Sequence, residues 1–164
     1  MTEINKFFST KIFDNYSVAL RQHKAGHSHC QLLHGYAFKF KVYFEPNSPE
    51  DANNGLDDMN WVVDFGGFKD APQGNGLKSW MDYMFDHTLL IEKDDPYLDF
   101  FQSAAMEGLC NLRVMEKMGA EHLAKLVFDK FNDVLSKTDG ARCKVAMVEC
   151  NENEKNSAIY GRFV

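Results

Sequence analysis

Apolar and polar residues alternate most regularly between positions 36 and 45, in the segment YAFKFKVYFE. Successive side chains of a strand point to opposite faces of a sheet, so this period of two predicts a half-buried strand. The face predicted to be buried consists of Tyr36, Phe38, Phe40, Val42 and Phe44. Further strands are predicted in residues 6–20 and in the segments CKVAMVEC and SAIYGRF, which are separated by the turn-rich NENEKN.

Helical spacing appears in two regions of the chain. Between 120 and 136 an apolar stripe predicts a helix with one buried face, and Glu121 and Lys125 lie four residues apart outside that stripe. The stripe consists of Leu123, Leu126, Val127, Phe131, Val134 and Leu135. The region 65–85 has helical spacing in its second half, but Pro72 and Gly74 interrupt the first half, which predicts two pieces.

The remaining segments predict connections. Residues 46–60 are rich in Pro, Asn, Asp and Gly, as in a loop, and lead to a short extended piece, WVVDF. Asp95 and Pro96 are typical of the start of a short helix, and irregular chain is predicted after it up to residue 118. The order of elements predicts one α+β domain over residues 1–164, built around an antiparallel sheet.

Composition narrows the class of protein. Of the 164 residues, 45% are hydrophobic, enough for a compact core, and the formal net charge of −6 argues against a nucleic-acid-binding surface. No apolar run approaches membrane-spanning length and no export signal is visible, so we expect a cytoplasmic protein that does not bind a membrane. The four cysteines form no CxxC pair, and we expect them to be reduced.

Histidine and cysteine are concentrated just before the strongest strand, in HKAGHSHCQLLHGY. This segment holds four of the six histidines, together with Cys30. Imidazole and thiolate are common metal ligands, and histidine exchanges protons near neutral pH. The cluster therefore indicates a metal or acid–base site, although a solvated loop with incidental histidines explains any single member.

Two further positions carry candidate chemistry. Asp86 and His87 are adjacent, and they form a proton-transfer pair if a turn brings the carboxylate to the ring; otherwise they are surface residues at a helix end. Glu149 lies in the apolar strand VAMVEC. A carboxylate there either accepts hydrogen bonds from a ligand or lies on the solvent face with Val148 inward, and alternation alone allows both.

Taken in order, these segments resemble the 6-pyruvoyl and 6-carboxytetrahydropterin synthase family. Cys30 followed by His34 and Gly35 is similar to the family's catalytic Cys and HGH metal motif. Further similarities are NWVVDFGGFK to the family's (V/I)-(V/I)-D-F segment, FDHTLL to LDHxxLN, Glu121 to the Glu of PTxE, and VECNENEKNSAIY to the final pterin-anchoring stretch. The resemblance extends over nearly the whole chain.

The resemblance implies a tunnel fold, in which two hairpins form an antiparallel sheet with helices on one face. Barrels of this fold close when subunits associate, so a homo-oligomer, trimeric or hexameric, with active sites between subunits is expected. It also implies catalytic roles for Cys30, Asp86 and His87, and pterin-binding roles for Glu149 and Glu121.

A zinc ion is implied as well, but two of the family's three ligand positions differ in this sequence. Leu20 stands at the first, and Tyr36 replaces the last histidine of HGH, which leaves His34. One possibility is that neighbouring residues supply replacement ligands: His29 first, then His27 or His23, with Tyr36 as a less usual ligand. The other is that the metal is lost.

The activity implied is that of a lyase acting on 7,8-dihydroneopterin triphosphate. The product expected first is 6-carboxy-5,6,7,8-tetrahydropterin, a precursor in deazaguanine and queuosine synthesis. The alternatives are the 6-pyruvoyl product, a metal-free protein that binds pterin without catalysis, and a structural domain.

Overall fold

The structure is a computed structural model that describes residues 5–138 and 141–163. Its strands are β1 (Ser9–Leu20), β2 (His34–Pro46), β3 (Thr88–Glu92), β4 (Leu112–Met115), β5 (Cys143–Asn151) and β6 (Ser157–Gly161). Its α-helices are α1 (Leu77–Phe85), α2 (Leu98–Met106) and α3 (Ala120–Leu135), and 3-10 turns lie at His29–Gln31 and Phe65–Phe68. No helix within the described ranges combines the length and the apolar composition that crossing a membrane requires.

The six strands form one mixed sheet in the order β4-β3-β1-β2-β5-β6. The antiparallel pairs are β1–β2, β2–β5 and β5–β6, as expected for two hairpins. However, β3 runs parallel to both β1 and β4, so the prediction of a wholly antiparallel sheet is wrong. All five residues of β3 are buried, and a strand covered on both faces has no polar alternation by which to recognise it.

The main core lies between the sheet and helices α1 and α3. The predicted inward row of β2 is confirmed, since Phe38, Phe40, Val42 and Phe44 have no exposed surface. Phe131 of α3 is also fully buried, and its ring centroid lies 5.5 Å from that of Phe13. The apolar stripe of α3 therefore covers the inner face of the β1–β2 hairpin.

Helix α2 packs on the opposite face of the sheet. Adjacent residues of β3 point to opposite sides: Leu90 belongs to the main core, whereas Leu89 and Ile91 form a second cluster with Phe101 of α2. The prediction that all helices lie on one face is therefore wrong for α2. This helix follows Asp95 and Pro96, as expected, but β4 occupies part of the chain that was predicted to be irregular.

Several local predictions are confirmed. The region 65–85 divides into a 3-10 turn and helix α1, and residues 47–60 contain no strand or helix. In contrast, WVVDF is not a strand. Val62 and Val63 are buried in the core, but they lie in a bend and pair with no strand.

Phe131→Ala should lower the free energy of unfolding by about 3–5 kcal/mol, because removing a fully buried phenyl ring leaves a cavity. Urea denaturation measures this change. Phe100→Ala on α2 is the matched control: that ring is 66% exposed, so its loss should cost less than about 1 kcal/mol. Equal losses in the two variants would contradict the position of the core.

Candidate active site

The end of β1 and the start of β2 hold the predicted Cys30 and His34. The loop between the two strands folds back, so that the backbone N–H of Gln22 donates to the carbonyl of Cys30 at 2.7 Å. The hydroxyl of Ser28 accepts from the backbone N–H of Cys30 at 3.2 Å and begins the short 3-10 turn. Cys30 is therefore held against the last residues of β1, with its side chain partly exposed.

His34 and Tyr36 are the first inward-facing residues of β2. In the ladder His34 pairs with Leu20 and Tyr36 pairs with Val18. The Nδ1 atom of His34 lies 2.8 Å from the carbonyl oxygen of Leu32. Because a carbonyl only accepts, Nδ1 donates its proton here and Nε2 remains for another partner. The rings of His34 and Tyr36 meet edge to face, with 5.3 Å between their centroids.

Glu152 is the functional candidate that the sequence reasoning missed. It follows β5 by one residue and continues the inward series of Val148 and Cys150. Burial, followed by repulsion from Glu121, raises the pKa of Glu152, while His34 acts in the opposite direction. Once Val148 is known to face inward, the alternation of β5 places Glu152 at the end of the buried row; the sequence alone gave no signal for which face that is.

Glu121 reaches the same place from the first turn of α3. A Cβ atom on Gly119 would stand 3.2 Å from both Gln22 Nε2 and Glu121 Oε2, and Gly119 has a φ of +104°. Glycine is needed at this close approach, which brings the end of β1 against the start of α3. The helix N-terminus favours the negative charge of Glu121. We call Cys30, His34, Tyr36, Glu121 and Glu152 the polar cluster.

Two neighbouring groups are held in their protonated forms. Burial, then Glu152 and Cys30, raises the pKa of the Tyr36 phenol. Burial, then Glu152 and Glu121, raises the pKa of the Cys150 thiol. Cys150 is fully buried, so Cys30 is the accessible thiol of the site.

Glu149 lies on the face of the sheet opposite the polar cluster. It pairs with Lys41 of β2 and Ile159 of β6, and its Oε1 accepts from the Asn151 side-chain amide at 3.1 Å. Val148 is fully buried. Within this chain, therefore, Val148 faces the core and Glu149 lies on the solvent face, which is the second of the two alternatives that the sequence allowed.

Asp86 and His87 face each other, as a proton-transfer pair requires. His87 has a φ of 53°, and this turn places its Nδ1 atom 2.7 Å from Asp86 Oδ1. Both side chains are exposed, at 78% for His87 and 47% for Asp86. However, His87 lies one residue before Thr88, the partner of Val18, and so is level with Ser17, whereas Cys30 is bonded to Gln22 beyond the end of β1. Five residues of extended chain correspond to roughly 17 Å, so one chain does not bring the pair to Cys30.

Comparison with known proteins assigns the chain to a family. Residues 9–162 match the sequence profile described as 6-pyruvoyl tetrahydropterin synthase. The chain belongs to this family. A 6-carboxy-5,6,7,8-tetrahydropterin synthase of Rickettsia felis is 35% identical over 71 residues, which cover 43% of each chain. One from Rickettsia conorii is 35% identical over 66 residues, covering 40% of this chain and 39% of the relative. The chain thus aligns with less than half the length of these curated relatives.

Solved structures share the fold over nearly the whole chain. An uncharacterized protein from Wolinella succinogenes superposes with a TM-score of 0.74 at 19% identity, covering 97% of this chain and 99% of that one. The 6-pyruvoyl tetrahydropterin synthase of Caenorhabditis elegans gives 0.60 at 18% identity, with coverages of 99% and 100%. The mixed sheet and its three helices therefore match the fold of this family.

The residues at the family's zinc positions do not fit a zinc site. Leu20 is buried at 1% exposure and offers no ligand atom, and Tyr36 is a protonated phenol. Within residues 5–138 and 141–163, one group of three His, Cys, Asp or Glu side chains lies close enough together to hold a metal ion, and it consists of His23, Glu92 and Asp94. Neither His34 nor His29 belongs to it. Structural and catalytic zinc sites take at least three protein ligands.

Glu121→Gln should lower the pKa of Glu152, because it removes the neighbouring negative charge that disfavours ionisation. Carbon-13 NMR of the Glu152 carboxyl group measures the titration midpoint. In the wild type the midpoint should lie above that of Glu in a model peptide. Because the folded chain holds this proton to higher pH than the unfolded chain, the contribution of Glu152 to stability decreases as the pH rises through that midpoint.

Glu149→Gln is the control for this titration, since its carboxylate lies on the other face of the sheet. It should leave the Glu152 midpoint unchanged. A larger shift from Glu149→Gln than from Glu121→Gln would contradict the arrangement of the polar cluster.

Proposed function

We propose that the chain is a cytoplasmic lyase that acts on 7,8-dihydroneopterin triphosphate and forms 6-carboxy-5,6,7,8-tetrahydropterin, the intermediate used for deazaguanine and queuosine synthesis. The observation that carries the proposal is the polar cluster, in which an accessible thiol and two carboxylates meet at one end of a sheet of this family's fold. The Rickettsia relatives support the 6-carboxy product over the 6-pyruvoyl product.

Glu152 is the residue that we propose as the anchor of the pterin ring. The 2-amino-4-oxo edge of a pterin offers adjacent N–H donors, and one carboxylate accepts both. Such donors favour the charged form of Glu152, whose pKa is raised by burial and by Glu121 in the free protein. Glu149, the anchor expected from the sequence, competes for this role only if a neighbouring subunit brings its outer face to the ring.

Cys30 and the Asp86–His87 pair are proposed to move protons on and off the side-chain carbons of the substrate. Asp86 accepts a hydrogen bond from the His87 ring and so orients it, and both side chains are exposed to contact by a neighbouring subunit. Because the pair lies roughly five residues along the sheet from Cys30, we propose that a homo-oligomer, a trimer or hexamer, places one subunit's pair against another's Cys30.

No step of this proposal passes through zinc, because the family's ligand positions hold Leu20 and Tyr36. The same observation favours a second candidate function, in which the chain binds pterin without catalysis. Turnover of dihydroneopterin triphosphate separates the two: the lyase releases acetaldehyde and triphosphate, whereas the binding protein takes up the pterin and leaves it unchanged.

Glu152→Gln should weaken binding of a dihydropterin by about tenfold to a hundredfold, which corresponds to loss of a charge-assisted hydrogen-bonded pair. Fluorescence titration measures the dissociation constant. Glu149→Gln is the matched control and should change it by less than about twofold. The reverse ranking would assign the anchor to Glu149 and overturn the role of Glu152.

Cys30→Ala should lower kcat by about a hundredfold to ten-thousandfold while leaving pterin affinity nearly unchanged, because a proton-transfer group is lost without loss of the ring anchor. Acetaldehyde release, followed by mass spectrometry of the pterin product, measures turnover. The buried Cys150 supplies the comparison, since Cys150→Ala removes a thiol that the substrate does not reach. Equal turnover in Cys30→Ala and wild type would remove the thiol from the mechanism.

A further inference from the structure

We propose that His23, Glu92 and Asp94 form a divalent cation site outside the polar cluster. The three side chains come together because β1 and β3 are parallel, with Leu20 paired to Leu90. His23 follows the end of β1, and Glu92 and Asp94 lie at and just beyond the end of β3. The carboxyl ends of adjacent parallel strands are a common place for ligand sites.

The ligand atoms of this trio lie close enough together to converge on one cation. One atom from each residue lies within 4.8 Å of the other two. The two ring nitrogens of His23 face different carboxylates: Nδ1 is 3.6 Å from Glu92 Oε2, and Nε2 is 3.8 Å from Asp94 Oδ1. A single cation bound at Nδ1 therefore requires the Asp94 side chain to turn toward Glu92. The side chains of His23 and Glu92 are each 10% exposed, so solvent reaches the trio mainly past Asp94, which is 53% exposed.

An unsatisfied nitrogen points to a missing partner. His23 Nδ1 is buried and has no hydrogen-bond partner among the described residues. A buried polar atom without a partner costs free energy, so such atoms are rare unless water, an ion or a ligand completes them. The carboxylate oxygens of Glu92 and Asp95 lie 3.6 Å and 3.8 Å from this nitrogen, distances too long for a hydrogen bond.

Charge around the trio also favours a cation. Glu92, Asp94 and Asp95 carry three negative charges, whereas Arg21 and Lys24 supply two positive ones. With His23 neutral, as a metal ligand must be, the group retains one net negative charge. Arg21 Nε lies 3.0 Å from Oδ2 of the fully buried Asp95, so these two residues form an ion pair. Glu92 and Asp94 are then the carboxylates that remain for the cation.

Lys24 shows where the cation binds. Its ammonium group bridges the same two carboxylates, at 2.7 Å from Asp94 Oδ2 and 3.4 Å from Glu92 Oε1. The Lys24 side chain is 61% exposed, so it leaves the carboxylates at little cost in packing.

The donor set selects the class of cation. One imidazole and two carboxylates suit divalent ions such as Mn²⁺, Fe²⁺ and Zn²⁺, and they do not suit Cu⁺, which prefers sulfur. Mn²⁺ is the appropriate probe, because thiols such as Cys30 compete for it weakly. Binding measured without pterin is independent of the lyase proposal, so either proposal survives the failure of the other.

The test is titration of the full-length, chelator-treated protein with Mn²⁺, followed by calorimetry and by the loss of the free-ion electron paramagnetic resonance signal. His23→Ala and Glu92→Gln should each weaken binding at least about tenfold, the scale of lost metal-site contacts. Lys24→Met should tighten binding, because it removes the competing ammonium group. Mn²⁺ should also raise the melting temperature of the wild type but not of His23→Ala.

His34→Ala is the control, since His34 lies at the family's zinc position and not in the trio. It should leave Mn²⁺ affinity unchanged. Loss of binding in His34→Ala with retention in His23→Ala would overturn the proposal in favour of a site on β2. Absence of binding in both the wild type and Lys24→Met would overturn it in favour of an ion-pair network.

Discussion

The pairing of β1 with β2 is the constraint on which the rest of the structure depends. Its register places the row from Phe38 to Phe44 in the core, where α3 covers it, and sets His34 opposite Leu20. A slip of one residue would turn that whole aromatic row to solvent, so burial holds the register tightly. The same ladder therefore fixes both the core and the end of the sheet at which the polar cluster assembles.

Two separate groups of carboxylates lie around the end of β1. In the polar cluster Glu152 and Glu121 repel each other, and neither has an ion-pair partner within residues 5–138 and 141–163. That arrangement suits a ligand with N–H donors, such as a pterin ring. On the β3 side, Lys24 already neutralises part of the charge of Glu92 and Asp94, an arrangement that suits a cation. Both sites thus favour an electropositive partner, N–H donors in the polar cluster and a metal cation beside β3.

Strongly periodic segments were predictable, and segments covered on both sides were not. The apolar stripe of α3 and the alternation of β2 each describe one buried face, and both elements lie where the pattern places them. β3 escaped prediction because α2 buries one face and the main core buries the other. The changes at the zinc positions were also predictable, because Leu20 and Tyr36 differ from the family's histidines in the sequence itself.

By itself the sequence determined the family and the buried faces of β2 and α3, because these depend on local patterns and on motifs in order. It named Cys30, Asp86 and His87 as candidates, but the structure decided that the thiol is partly exposed and that Asp86 and His87 face each other. Only the tertiary structure decided which carboxylate faces the site. A bulge between Tyr43 and Phe44 lets Met147 and Val145 oppose them with Ala146 unpaired, so Val148 and Cys150 turn inward and Glu149 turns outward. One extra residue in a ladder reverses the faces of all that follow, and no pattern within a single strand reveals it.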